Sequence, residues 1–421
     1  MPRAYDVIIV GGGPAGSSTA FSLARAGVRV LVLDRAHFPR AKPCAEYLSP
    51  QASHRLNEMG ALDAVEAAGA AHLAGMVVRA PNGATIRGDF VAEHGYSAFR
   101  NRGLALRRTV LDSILLDCAR NAGADVREGV RVTDVVRDAD GTVNGVCVLD
   151  EHGETQTLGA RMVVGADGLR SVVARRLGLA HTSRIWPRRI ALVGHFENFG
   201  DVTDWGEMHV ERDVGYVGLA SVDSGLTNVA MVVPPSAARA VSADKNAFFD
   251  NWLRARPQLA PRAAQARRVG AVMATGPFAS HARRAWAPGA ALVGDAADFF
   301  DPFTGEGIYS GLHGGELLAR HLLGALGAPS VAESTDALRA YDRARRHEFK
   351  GKWMVEKLIN AAVSWAPAMN YFARTLEARK DMADLLVGVT GDFVPAREVL
   401  RPSYLLNLFR QAPPVPALPD A

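Results

Sequence analysis

Apolar residues set three rhythms along this chain, and each rhythm predicts a different kind of element. Near the start, Asp6-Val7-Ile8-Ile9-Val10 is an almost unbroken apolar run, the pattern of a strand buried on both faces. Pro14 to Ala26 then reads as a helix, and Val28–Leu33 as a second buried strand, closing a βαβ unit by about residue 40. After a loop through Pro39–Cys44, helices are predicted over Ser49–Met59 and Leu62–Ala68, with strand-like segments over 73–97. The helical rhythm is clearest in Arg108–Ala122, where Val110, Leu111, Ile114, Leu115 and Cys118 fall on one face. A meander follows over Asp125–Glu128, Val130–Arg137 and Val143–Leu149, with turns at Asp138–Gly141 and Glu151–Gly153. The third rhythm is alternation. It runs through Arg189–Phe196, Gly206–Glu211, Tyr216–Val222 and Thr227–Val233 and predicts an antiparallel sheet inserted into the chain.

Two more short apolar runs, Arg161–Val164 and Ala290–Val293, complete the strands, and a helix is predicted over Asp244–Arg256. From Gly305 to Leu323 and on to about 410 the chain reads as mostly helix. The last stretch, Gln411–Ala421, carries four prolines and is expected to be disordered. The whole predicts an α/β protein in which a Rossmann-like domain is interrupted by a substrate domain built on an antiparallel sheet. The Rossmann-like parts are residues 1–75, 100–180 and 270–330. The substrate parts are 76–99 and 181–269, followed by a helical region over 331–410.

Composition narrows the class. With 421 residues there is room for more than one domain. The 48 basic residues nearly balance the 44 acidic ones, and no basic run is interleaved with aromatics, so no nucleic-acid partner is expected. The first strand starts too close to Met1 to leave room for a signal peptide. The apolar stretch near Leu358–Phe372 is flanked by Lys357 and Arg374 and broken by Pro367, so membrane contact is not expected either. Cys44, Cys118 and Cys147 are too few and too scattered for a disulfide framework or a zinc site. A soluble cytoplasmic enzyme is the expectation, with no metal.

The chemistry begins at Gly11-Gly12-Gly13-Pro14-Ala15-Gly16, which sits between strand and helix, with Asp34 ending the second strand. That is the dinucleotide fingerprint: glycines for a tight turn and close approach, and free helix N–H groups facing a pyrophosphate. The acidic residue lies within reach of a ribose. The fingerprint alone leaves open which dinucleotide binds. Two further strand ends share one design, Val163-Val164-Gly165-Ala166-Asp167-Gly168 and Leu292-Val293-Gly294-Asp295. Each aspartate either caps the next helix or points into the crevice beyond the strand ends.

On these three motifs together, the chain resembles the flavoprotein monooxygenases of the aromatic-hydroxylase type and their relatives, the geranylgeranyl reductases and flavin-dependent halogenases. The resemblance covers about residues 4–330. It implies FAD as the resident dinucleotide and NAD(P)H as a transient co-substrate. It places Gly11, Gly13, Pro14, Ala15 and Gly16 around the pyrophosphate, Asp34 and Arg35 at the adenosine ribose, and Arg108 near the phosphates. Val132 matches a backbone contact to adenine, Asp167-Gly168 the family's Asp-Gly motif, and Asp295 a contact to the ribityl chain. The string Asp301-Pro302-Phe303-Thr304-Gly305-Glu306-Gly307 matches the segment at the flavin pyrimidine edge, with Pro302, Gly305, Glu306 and Gly307 as its contacts. Lys42-Pro43-Cys44-Ala45-Glu46 resembles the reductases' Lys-Pro-Cys-Gly segment. It puts Cys44 and Ala45 beside the isoalloxazine ring, or leaves Cys44 an inert thiol, with Glu46 and Tyr47 bordering the substrate cavity.

Departures from the family matter as well. Prenyl reductases carry Tyr-x-Trp-x-Phe-Pro where this chain has Tyr216-Val217-Gly218-Leu219-Ala220-Ser221-Val222. Halogenases carry Trp-x-Trp-x-Ile-Pro, which Ile185-Trp186-Pro187 is not. The hydroxylases' histidine after Gly-Asp-Ala-Ala is Asp298 here, and their asparagine is Tyr309. The resulting expectation is a monooxygenase that hydroxylates an aromatic or polyketide-like, apolar small molecule with molecular oxygen, through a flavin hydroperoxide. Glu46, His195 and Tyr216 are its candidate catalytic groups, although a lone strand histidine is often structural. Trp205, Trp252 and Phe196 are expected in the core. The alternatives are a reductase of isoprenoid double bonds, with Cys44 or Glu46 as the acid, and a flavin-binding redox sensor without turnover. In the reductase reading the C-terminal helices with Trp353, Met354, Leu358, Ile359 and Trp365 either cover an apolar cavity or pack on the flavin domain.

Overall fold

The computed structural model describes residues 3–410 except 92–94, 184, 185, 187 and 214. The tail expected to be disordered, 411–421, and the pair Ile185 and Pro187 lie outside the described residues.

Apolar runs buried on both faces assemble a parallel sheet, as they must when helices cover both sides. Its order is Ala290–Leu292, Thr155–Gly165, Arg3–Val10, Val30–Leu33 and Asp125–Arg127. The helix Pro14–Arg25 crosses between Arg3–Val10 and Val30–Leu33, and helix Gly307–Gly327 packs along it. The strand predicted to begin at Arg161 begins at Thr155 instead. Its first half is exposed and polar, which hid it from the apolar pattern. That half pairs with Val143–Leu149, and the second half joins the parallel sheet.

The alternating segments form a seven-stranded sheet. Its order is Arg267–Thr275, Ile190–Glu197, Thr227–Val233, Tyr216–Ser221, Gly206–Val210, Gly75–Arg79 and Thr85–Asp89. Arg267–Thr275 thus belongs to this sheet, past the boundary expected at 269, because it hydrogen-bonds along Ile190–Glu197. One sheet face packs Leu192, Phe196, Val217 and Met231 against Phe249 and Trp252 of helix Lys245–Arg254. Trp252 and Phe196 therefore sit in the core, whereas Trp205 is half-buried beneath the Arg87 guanidinium, 4.1 Å from the ring centroid. The other face looks back at the parallel sheet.

A 33-residue helix, Val331–Val363, closes the space between the two sheets. Helices Ala366–Glu377 and Lys380–Thr390 continue over the outer strand Thr85–Asp89. Among the described residues no helix is long and apolar enough to cross a membrane.

Candidate active site in the cleft between the sheets

The cleft starts where the first strand turns into the first helix. Gly11 has φ +104°, and a Cβ on Gly16 would stand 1.9 Å from the Gly11 carbonyl oxygen, so neither position admits a side chain. Gly13 has only guanidiniums before it: its missing Cβ would lie 3.4 Å from Arg40 Nη2 and 3.8 Å from Arg108 Nη2. Two cations and a helix N-terminus therefore converge on one small space, a site built for an anion. Asp112 holds both cations, accepting from Arg108 Nε at 2.6 Å and standing 3.2 Å from Arg40 Nη1. Burial works against the charge on Arg108, but the Asp112 carboxylate outweighs it and raises the guanidinium above its ordinary value. Asp34 closes the turn from below, accepting from the N–H groups of Gly12 and Ala36, both at 2.9 Å.

From there the cleft widens into a cavity of about 250 Å³. Its sheet wall follows the strand period: Ala191 and Val193, then Gly218 and Ala220, then Ala230 and Val232. These small residues leave the volume open. The opposite wall is the turn Asp301–Gly307. Gly305 has φ +73°, and a Cβ there would meet the Tyr47 ring at 2.7 Å. Tyr216, placed on the sheet wall, donates its hydroxyl to Asp301 at 2.5 Å, and Asp301 also accepts from the fully buried Arg189 at 2.9 Å. Burial, and then the Asp301 charge, push the Tyr216 hydroxyl well above the usual tyrosine range. Its proton is committed to holding the turn.

Near the anion site the sheet wall carries its polar cluster. Register sets His195 opposite Asn228, and both reach Glu46 from the loop. Glu46 Oε2 accepts from His195 Nε2 at 2.7 Å and from Asn228 Nδ2 at 2.8 Å, while Oε1 accepts the Arg108 N–H at 2.9 Å. Glu46 is 2% exposed and holds φ +62°, a left-handed conformation that costs a non-glycine residue about 1–3 kcal/mol. Three hydrogen bonds keep it there. Cys44 lies alongside, its carbonyl accepting from Asn228 at 2.9 Å and its Sγ from the Glu46 N–H at 3.3 Å.

The FAD binding domain family matches residues 4–351. The chain belongs to it. FAD is therefore the dinucleotide, and the protein is an FAD-dependent oxidoreductase. The Gly13 space with its two guanidiniums fits the pyrophosphate of FAD, with Gly11, Gly16 and Asp34 shaping the turn beneath it. Among relatives, the Menaquinone reductase of Mycolicibacterium smegmatis is 30% identical over 76% of this chain and 76% of its own length. The Digeranylgeranylglycerophospholipid reductase 1 of Methanococcoides burtonii is 30% identical over 85% and 83%. The Conditioned medium factor receptor 1 of Dictyostelium discoideum is 29% identical over 76% of this chain, which spans 64% of that protein's length. Among solved structures, the myxobacterial chondrochloren halogenase CndH, an FAD-dependent halogenase, superposes with TM-score 0.76 at 28% identity, covering 84% of this chain and 82% of that one.

The structure gathers most of the expected FAD contacts. Gly13, Pro14, Ala15, Cys44, Ala45 and Arg108 line the cleft, as do Gly168, Asp295, Pro302, Gly305, Glu306 and Gly307. Others stand apart from its lining. Asp167 turns away to accept the Val172 N–H at 2.6 Å, capping helix Val172–Arg176, so of the two strand-end aspartates Asp295 alone faces the cleft. Arg35 is exposed, and Val132 is buried in the strand paired with Val143–Leu149. Of the C-terminal apolar residues, Trp353 lines the cleft but Met354, Leu358 and Trp365 face outward. Three residues escaped sequence reasoning. Arg40 follows a proline in a loop with no local pattern, and Lys352 and Glu356 were lost in a long helix. Asn228 did carry a signal, as the one amide in an otherwise apolar strand.

Proposed function

We propose that this FAD-dependent oxidoreductase adds hydrogen across a carbon–carbon double bond of an elongated apolar molecule of isoprenoid type. The observation that carries this reading is the sheet wall, where Ala191, Val193, Gly218, Ala220, Ala230 and Val232 form a small, apolar surface, the Tyr216 hydroxyl is tied to Asp301, and Asn228 meets Glu46 at one end. Such a wall binds a chain by apolar contact and offers polar chemistry at one point. The names of two relatives, a menaquinone reductase and a digeranylgeranylglycerophospholipid reductase, point the same way. When bound and reduced by NAD(P)H, FAD supplies a hydride. The chain's own residues do the rest. Arg40 and Arg108 hold the anionic part of the cofactor, and Tyr216, Asp301 and Arg189 fix the turn opposite the sheet. The Glu46–His195 pair holds a proton at the polar end of the wall and passes it to the carbon left electron-rich by hydride addition, with Asn228 fixing the carboxylate's direction.

A second reading is hydroxylation of an aromatic or polyketide-like ring with molecular oxygen. The same Glu46–His195 pair favours it, because a hydrogen-bonded carboxylate and imidazole can take the proton of a phenol. One experiment separates the two. The FAD-loaded enzyme is incubated with NADPH and a panel of prenyl quinones, prenyl lipids and phenols, in air and without oxygen, and products are read by mass. Hydrogenated product without oxygen is expected. Product that forms only in air and carries an added oxygen atom would replace the first reading by the second.

A further inference from the structure

A separate polar cluster lies on the helical side of the cleft and takes no part in the chemistry above. The long helix carries Glu348, Lys352 and Glu356 four residues apart, so they form one stripe. Lys352 and Glu356 line the cleft. Glu348 is where the stripe meets water: its side chain is half exposed and accepts from His313 Nε2 at 3.1 Å. Lys352 Nζ reaches the fully buried Asp392 carboxylate and stands 3.9 Å from Glu306 Oε1 across the cleft wall. Glu306 also accepts from Thr304 Oγ1 at 3.4 Å, and Glu356 accepts the Asp301 N–H at 3.0 Å.

Asp392 and Glu306 thus stand against one ammonium, and a third carboxyl, Glu356, lies one helical turn along from it. If all three were ionised, negative charge would exceed positive in a space with little water, at a cost of several kcal/mol for each ion left without a partner. A buried carboxyl escapes that cost by keeping its proton. Asp392 takes the ammonium directly, which leaves the proton to Glu306 or Glu356. Burial pushes Glu356 up to about 8, helped by the nearby Glu306 charge, and pushes Glu306 up to about 7 against the pull of Lys352. Burial likewise holds Lys352 below the ordinary lysine range. The other groups facing the pair are Tyr47, Tyr309 and Thr304 around Glu306, and Asp301 and Tyr216 around Glu356. Tyr47 Oη is buried, has no hydrogen-bond partner, and belongs to the cleft lining.

We propose that Glu306 and Glu356 keep one proton between them at neutral pH as a reserve for the bound FAD, with Tyr47 as its outlet and Glu348 as its contact with water. A hydride delivered by NAD(P)H brings two electrons and one proton to FAD and leaves the ring system with one extra negative charge. The reserve answers it: a carboxyl O–H bond breaks, the proton joins the reduced ring, and the carboxylate is recharged from water. FAD, hydride and proton together make FADH2, and no other electron moves. The use of the reserve rests on the cleft being the reaction chamber, but its existence does not.

Two measurements on the whole protein test this without any substrate. Infrared difference spectra of the FAD-free protein should show a carboxylic-acid band at pH 7 that disappears between pH 6 and 9. The band should weaken in E306Q and in E356Q, vanish in the double variant E306Q/E356Q, and strengthen in K352M. Asp167 is another buried carboxyl raised by burial, so a band undiminished in the double variant would belong there and overturn the proposal. In the FAD-loaded protein mixed with NADPH in stopped flow, protonation of the reduced flavin, read from the absorbance that separates its neutral and anionic forms, should keep pace with bleaching in wild type. In the double variant E306Q/E356Q it should lag behind bleaching, because the proton must come from water. The same timing in both proteins would overturn the proposal, whereas failure to hydrogenate any alkene would bear only on the substrate reading.

Discussion

Replacing Glu46 by Gln keeps its size and its left-handed backbone and changes only the polar pattern at the head of the side chain. The carboxylate accepts three hydrogen bonds, from Arg108 N–H at 2.9 Å, His195 Nε2 at 2.7 Å and Asn228 Nδ2 at 2.8 Å. An amide has one accepting oxygen and one donating nitrogen. If its oxygen faces Arg108, its NH2 faces the Asn228 amide, which cannot flip without losing the Cys44 carbonyl. If its oxygen faces Asn228 and His195, its NH2 faces the Arg108 N–H. Either way one buried donor meets another donor. An unsatisfied buried donor costs about 1–3 kcal/mol, and losing the charge from the remaining bonds adds about 1 kcal/mol, so E46Q should be about 2–4 kcal/mol less stable. Urea denaturation of the two proteins measures this. The anaerobic hydrogenation rate should fall further than stability explains, by about 10²–10⁴-fold, the usual worth of a placed proton donor. A variant within about 0.5 kcal/mol of wild type, the range of surface substitutions, would refute the three-bond network.

Other perturbations separate cofactor binding from folding. Gly16→Ala forces a methyl to within 1.9 Å of the Gly11 carbonyl oxygen, so the turn must open; loss of bound FAD and a lower thermal midpoint are expected, read by absorbance and melting. Asp295→Ala removes a partly exposed carboxylate 3.8 Å from Lys42, costing less than about 1 kcal/mol in stability, yet FAD retention should drop. A variant that purifies with full FAD content would show that Asp295 does not hold the cofactor. Burial alone would raise Glu207, but His209 and the two-pronged Arg262 bring it down to about 2, below its unfolded value. Its contribution is therefore present above about pH 4.5 and lost as pH falls toward 2, up to about 3 kcal/mol; acid melting curves should lose that slope in E207Q.

The two strand-end aspartates show where reading the chain reaches its limit. Asp167 and Asp295 follow nearly identical apolar runs. A helix begins at Val172, close enough for Asp167 to cap it, while the next α-helix after Asp295 begins at Gly307, and Asp295 faces the cleft. The local sequence offered both outcomes for both residues, and the placement of the next element chose. Tyr216 is similar: its position on a cleft-facing strand was legible, but the arrival of Asp301 from a turn 85 residues away decided what its hydroxyl does.

What the sequence determined by itself is local. The apolar rhythms specify the parallel sheet and the alternating one, and the glycines between Val10 and Ser17 specify a dinucleotide-binding turn, because periodicity and backbone sterics act over a few residues. What the tertiary structure decided is every contact in which charge or a proton is handled. Glu46, His195 and Asn228 meet across 149 and 182 positions, and Glu306 meets Lys352 from another element. Such contacts depend on strand register and helix packing, where a one-residue slip turns a side chain to the opposite face. No pattern within a segment records which distant segment will lie against it.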